Sequence, residues 1–137
     1  MTIEPHQELA AAHGLSLEVG TLEPHNPLPR FDPFQMQRAL DNLILNAIQN
    51  TPAGGCIVVE ARRREDKLVL RVTDTGAGID EEIRDRLFEP FTTARPDGTG
   101  LGLAIVREIA RAHGGEARLV ASEHGARFEI EVPWQTF

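Results

Sequence analysis

Residues 33–50, PFQMQRALDNLILNAIQN, constrain the fold of this chain more than any other stretch. They open on Asp32-Pro33, an N-cap residue and then proline at the first helical position, where its missing N–H costs nothing. They end before Thr51-Pro52-Ala53-Gly54-Gly55, a run that stops a helix. Between these bounds Leu40, Leu43, Ile44 and Ala47 recur at i, i+3, i+4 spacing. The pattern predicts one long helix from Pro33 to about Asn50 with a single apolar face. A helix of this kind is held by burying that face rather than by propensity alone, so the rest of the chain must supply an apolar partner.

Period-two segments supply it. Leu15, Leu17 and Val19 alternate with polar neighbours, and residues 56–62 and 67–73 flank the charged turn Arg63, Arg64, Glu65, Asp66. Residues 116–121 and 126–132 flank a second turn at Glu123 to Gly125. Residues 21–31 hold three prolines and read as an extended connector. A short helix is expected over residues 81–88, EEIRDRLF, capped by Asp80, and another from about Gly100 to His113, stopped by Gly114-Gly115. The expected fold class is α+β: a two-layer sandwich of about five strands, mostly antiparallel or mixed, with three helices on one face. Residues 1–14 read as a linker or the tail of a preceding helix, and 15–137 as the folded domain.

Charge narrows the function. Asp and Glu outnumber Lys and Arg by 21 to 14, a formal net charge of −7, which argues against general binding to nucleic acid or an anionic membrane. No apolar run approaches membrane-spanning length, and MTIEPHQELAAAHG lacks the basic start and apolar core of a signal peptide. Cys56 is the single cysteine, so an internal disulfide and a thiolate zinc site are both excluded, and a cytoplasmic setting fits. P-loop, dinucleotide-fold, HExxH and nucleophile-elbow patterns are all missing.

Three features carry candidate chemistry. Asn42, Asn46 and Asn50, with Gln49 beside them, form an amide stripe on the long helix. An amide oxygen can ligate Mg²⁺, although spacing alone fits a solvated helix face better. Asp74-Thr75-Gly76-Ala77-Gly78 follows an apolar strand. A carboxylate there needs a donor, such as an exocyclic amine, or serves equally well as an Asx-type turn. Gly98-Thr99-Gly100-Leu101-Gly102-Leu103 opens a helix, whose N-terminal N–H groups and dipole favour an anion over a plain flexible linker. The preceding loop, Pro90 to Asp97, is long enough to act as a lid and carries Arg95.

In this order and at these distances the motifs resemble the ATP-binding catalytic domain of bacterial sensor histidine kinases, the Bergerat-fold or GHKL ATPases. Asp41-Asn42-Leu43-Ile44-Leu45-Asn46-Ala47 resembles the family's N box, and Asp74-Thr75-Gly76-Ala77-Gly78-Ile79 its G1 box. Leu87-Phe88-Glu89-Pro90-Phe91 resembles the F box, and Gly98 to Leu103 the G2 box. The likeness covers about residues 15–133.

The resemblance implies ATP and Mg²⁺ as cofactors. It implies that Asn46 ligates Mg²⁺, that Asp74 accepts from the adenine amine, and that Gly76, Gly78 and Ile79 shape the base pocket. Gly98, Thr99, Gly100, Leu101, Gly102 and Leu103 would form the lid hinge and meet phosphates, while Phe88 and Phe91 anchor the lid. Family members often carry a basic residue and then Tyr or His where this chain has Gln49 and Asn50, and Arg95 would offset the missing charge. Gyrase-like relatives place a general-base Glu where this chain has Asn42, so transfer to an imidazole is expected over hydrolysis.

None of the five histidines sits in an acceptor motif. The acceptor is therefore expected on a separate dimerisation domain, with a response regulator downstream, no nucleic-acid partner, and a monomeric isolated chain. The alternatives are a degenerate nucleotide- or partner-binding module and an ATPase of the same fold.

Overall fold

The computed structural model describes residues 3–22, 32–79, 81–90, 101–120, 122 and 125–133. In chain order the elements are α1 (Glu4–Ala12), β1 (Ser16–Leu22), α2 (Pro33–Asn50), β2 (Cys56–Arg64), β3 (Lys67–Asp74), α3 (Gly102–Ala112), β4 (Glu116–Val120) and β5 (Arg127–Pro133). The strands form one five-stranded sheet in the order β1-β2-β3-β5-β4. The β1–β2 pair is parallel and the other three pairs are antiparallel. Parallel neighbours need a crossover, and α2 is that crossover. The fold is thus the expected α+β sandwich with a mixed sheet.

Helix α2 begins as its sequence predicts. The Asp32 carboxylate accepts from the backbone N–H groups of Phe34 and Gln35 at 3.0 and 3.2 Å. Its buried side chains are Met36, Ala39, Leu40, Leu43, Ile44, Ala47 and Ile48. They meet Ile57, Val59 and Ala61 of β2, Leu68, Leu70 and Val72 of β3, and Phe128, Ile130 and Val132 of β5 in one core cluster. Alternation along β2, buried at every second residue from Ile57 to Ala61, sends these side chains to the helix side and Val58, Glu60 and Arg62 to the other.

The third helix differs from expectation. Residues 81–88 do not form a continuous helix; they hold a single 3₁₀ turn at Arg84–Arg86 between turns. The segment's core residues, Ile83, Leu87 and Phe88, fall in its second half, a stretch of eight residues is too short to be helical by itself, and Pro90 follows. The Asp80 cap lies outside the described residues. Instead, Glu4–Ala12 forms α1, with Ala10 buried in the common core. His6 Nε2 lies 2.6 Å from Asp41 Oδ1 on α2, and Gly54 N–H donates to Gly14 O at 2.8 Å. Helix α3 starts at Gly102 and is capped by His113, whose Nδ1 reaches Ile109 O while Nε2 accepts from Asp32 N–H at 3.1 Å. That ring joins the end of α3 to the start of α2.

Candidate functional site

The site assembles where α2, the end of β3 and the turn before β5 converge. The 3.6-residue period of α2 stacks Asn42, Asn46 and Asn50 along one flank. Asn50 Nδ2 donates to Asn46 Oδ1 at 3.2 Å, which orients the amide of Asn46 through its neighbour. Asn42 Nδ2 donates to Arg38 O at 2.9 Å, and its Oδ1 lies against Gly102, where an added Cβ would come within 3.3 Å. Asn42 therefore packs the amide flank of α2 against the first turn of α3. Gln49, beside these amides on α2, is exposed.

Asp74 closes β3 and is buried. Its Oδ1 accepts from Gly76 N–H at 2.9 Å and from Ala126 N–H at 3.1 Å. Asp74 N–H in turn donates to Ala126 O at 2.9 Å. Among the described residues both side-chain bonds fall on one oxygen, and Oδ2 could accept from a ligand. Burial pushes the carboxyl above the ordinary aspartate range, and the two backbone donors only partly offset it. A buried carboxylate whose second oxygen has no partner among the described residues suits a neutral donor such as an amine N–H.

Two glycines make the geometry possible. At Gly76 an added Cβ would lie 2.4 Å from Asn50 O, so this loop touches the end of α2 only because no side chain intervenes. At Gly125, with φ +69°, an added Cβ would lie 2.1 Å from Asp74 O and 2.7 Å from its Oδ1. Gly78 lies on the same turn system, at φ +82°. Sequence reasoning missed Gly125 and Ala126, reading them as a plain turn and a strand start. Their signal was available only in pairing, because the β3–β5 register brings them beside Asp74.

The remaining expected residues divide. Ile79, Leu103 and Phe88 are half-buried and pack on the core, and Phe88 meets Phe128 edge-on with ring centroids 6.0 Å apart. Leu101 precedes α3 and its carbonyl accepts from Ile105 N–H at 2.9 Å. The expected lid over Pro90 to Asp97 is described only at Pro90, and Phe91, Arg95, Gly98, Thr99 and Gly100 lie outside the described residues. Among the described residues no group of three His, Cys, Asp or Glu could hold a metal by itself. The neutral amide of Asn46 fits a hard cation that brings most of its oxygen ligands as phosphates and water.

Comparison with known proteins identifies the family. Residues 31–136 match the family described as histidine kinase-, DNA gyrase B- and HSP90-like ATPase. The chain is 38% identical over 124 residues to the alginate biosynthesis sensor protein KinB of Pseudomonas aeruginosa, covering 87% of this chain and 20% of that protein. It is 41% identical over 104 residues to the sensor histidine kinase ZraS of Salmonella typhi, covering 74% and 22%. The chain thus spans about a fifth of the length of these relatives. Among solved structures, the catalytic domain of histidine kinase ThkA superposes with a TM-score of 0.86 at 28% identity, over 96% of this chain and 87% of that one. Full-length ShkA in complex with AMPPNP superposes with a TM-score of 0.81 at 31% identity, over 98% and 28%. The chain belongs to the histidine kinase-, DNA gyrase B- and HSP90-like ATPase family, and within it to the GHKL catalytic domains of sensor histidine kinases.

Proposed function

We propose that this chain binds Mg·ATP beside α2 and passes the γ-phosphoryl group to a histidine on a separate dimerisation domain. The observation that supports this reading is the Asp74 carboxylate, whose Oδ1 takes two backbone donors while Oδ2 has no partner among the described residues. The adenine amine is the donor it would take, with Gly76, Gly78 and Ile79 around the base. Asn46, oriented by Asn50, would hold the metal, with Asn50 and Gln49 at the phosphate side. Bound Mg²⁺ would neutralise charge on the phosphates. Gly98, Thr99, Gly100, Leu101, Gly102 and Leu103, with Phe91 and Arg95, would close over the nucleotide.

In the transfer an imidazole nitrogen attacks the γ-phosphorus, the bond to the β-bridging oxygen breaks, and ADP leaves. Positioning does most of the work in such a step. Hydrolysis is the poorer reading because Asn42, whose Nδ2 donates to Arg38 O, is an amide and takes no proton from water at neutral pH. Residues 1–14 would lead in from the dimerisation domain, and a response regulator would receive the phosphoryl group next. Among the described residues no helix is long and apolar enough to cross a membrane. We place the domain in the cytoplasm on the supporting ground that its relatives are sensor kinases.

The test is radiolabel transfer from [γ-³²P]ATP to a separately supplied dimerisation domain from a sensor kinase. Acid-labile label on its histidine is expected. Binding of ATP with no transfer to any such domain would instead favour a nucleotide-binding regulatory module.

A further inference from the structure

Strand β4 ends the sheet, and among the described residues one of its sides has no neighbouring strand. Pairing decides which backbone groups face that side. Asp74 N–H donates to Ala126 O, so Ala126, Phe128 and Ile130 turn their backbone groups to β3. Arg127, Glu129 and Glu131 therefore bond to β4, opposite Val120, Arg118 and Glu116. Ala117 and Leu119, which alternate with these, point their N–H and C=O groups outward. Ala117 N–H accordingly donates to Glu116 Oε1 at 3.1 Å and not to β5. Leu119 N–H has no partner among the described residues. An open strand edge of this kind is a template for one more strand. A cavity of about 550 Å³ runs along it, bordered by Ala117 to Val120 and, beyond them, by Ile79, Arg84, Asp85 and Phe88. Ile79, Phe88 and Leu119 also pack on the core and give the cavity an apolar floor. Asp74, Asn46 and Asn50 do not line it. Charge selects no occupant here: Arg84 Nε donates to Ile79 O, Asp85 stands next to Arg84, and Arg118 is held by Glu131.

We propose that the β4 edge takes an extended segment of a partner protein, added antiparallel as a further strand, with one large apolar side chain in the cavity. The backbone chemistry commits the partner to this form. Leu119 presents a donor and an acceptor side by side, which a partner residue in extended conformation matches with its own C=O and N–H. A helix has already spent those groups on itself. Paired residues project their side chains to the same face, so the residue opposite Leu119 places its side chain beside Leu119, Ile79 and Phe88. Its two neighbours point to the face of Arg118, where polar side chains suit them. In such additions the main-chain bonds give affinity and the pocket selects the alternate side chain. A second copy of β4 would bring its own flanking residues 84–88 to the same edge, whereas a free segment brings none. Glu116, tied to Arg111 at 3.1 Å, already caps Ala117 N–H, so the pairing centres on Leu119.

The test uses the full chain labelled with ¹⁵N and, as the probe, a capped threonine peptide with one central leucine. The expected result is saturable shifts at the amides of Ala117, Leu119, Ile79 and Phe88, with exchange of the Leu119 N–H slowed about tenfold at saturation. Methylating the backbone nitrogen of the central leucine removes the donor that meets Leu119 O and should weaken binding about tenfold. Methylating the two flanking threonine nitrogens, which point away from β4, should leave it unchanged. Leu119→Pro removes the outward N–H without touching the ladder to β5 and should also weaken binding about tenfold. If that variant folds poorly, the two methylated peptides decide with the protein unaltered. Equal binding of those two peptides, shifts that map away from β4, or no saturable shift at millimolar peptide overturns the proposal. Dimerisation that shifts the same amides with no peptide present assigns the edge to a second copy and overturns it as well.

Discussion

At Asp74, burial and the proposed recognition of adenine pull in opposite directions. Because its carboxyl is raised in the folded chain, the fold holds a proton that the unfolded chain has already released. Stability from this group therefore falls as pH rises through that window, and the penalty persists at neutral pH. Asp74→Asn removes the charge and keeps an oxygen for Gly76 and Ala126, so the melting temperature at pH 7 should be equal or higher. The same change turns the free acceptor into an N–H₂ donor. Loss of a charged hydrogen bond of about 1.5–3 kcal/mol should cost about 10- to 100-fold in ATP affinity, read by calorimetry. Gly125→Ala should cost stability as well as binding, because its Cβ would overlap the Asp74 backbone. Denaturant unfolding should show a loss of about 2 kcal/mol or more, with nucleotide binding lost at the same time. The sequence made Asp74 legible as a strand-end carboxylate. Gly125 and Ala126 stayed hidden because their role depends on pairing across about fifty residues of chain, which periodicity does not report.

Among the elements, α2 was legible to the residue, since a side-chain cap, a proline and an apolar stripe all point to one answer. The Arg84–Arg86 turn was not, because capping signals without enough apolar surface do not make a helix. Helix α1 was hard to read for the opposite reason: its sequence is mostly Ala, Glu and His, and one buried alanine together with the His6–Asp41 contact seats it. The amide stripe gives a prediction for α2. Asn46 is partly exposed and among the described residues its side chain bonds to its neighbour Asn50, so Asn46→Ala should leave the melting temperature unchanged or slightly raised, alanine being the better helix former. ATP titrations with and without Mg²⁺ should then coincide for this variant and differ for the parent chain. At the start of α2, Asp32→Ala should cost about 1 kcal/mol in chemical denaturation by losing the two cap bonds.

Across the whole molecule the sheet separates two chemistries, an apolar face under three helices and a charged face whose signs pair with one another. The second face shapes acid behaviour. Hydrogen bonding from Lys67, opposed in part by burial, holds Glu131 below the ordinary glutamate range. A lowered carboxyl contributes stability above its unfolded value and loses it as pH falls through the folded one. Thermal melts should therefore drop on acidification below the ordinary glutamate range, and Glu131→Gln should flatten that limb. Asp74 acts with the opposite sign in acid, so Asp74→Asn should steepen it.

The central claim is that a folded, family-typical pocket recognises adenine through Asp74. Calorimetric titration of Mg·ATP into the parent chain and the Asp74→Asn variant, with melting curves of both, tests it most directly. The account predicts saturable binding by the parent and at least tenfold weaker binding by a variant that melts no lower. Equal affinity in the two, or no binding by the parent at millimolar nucleotide, would contradict it.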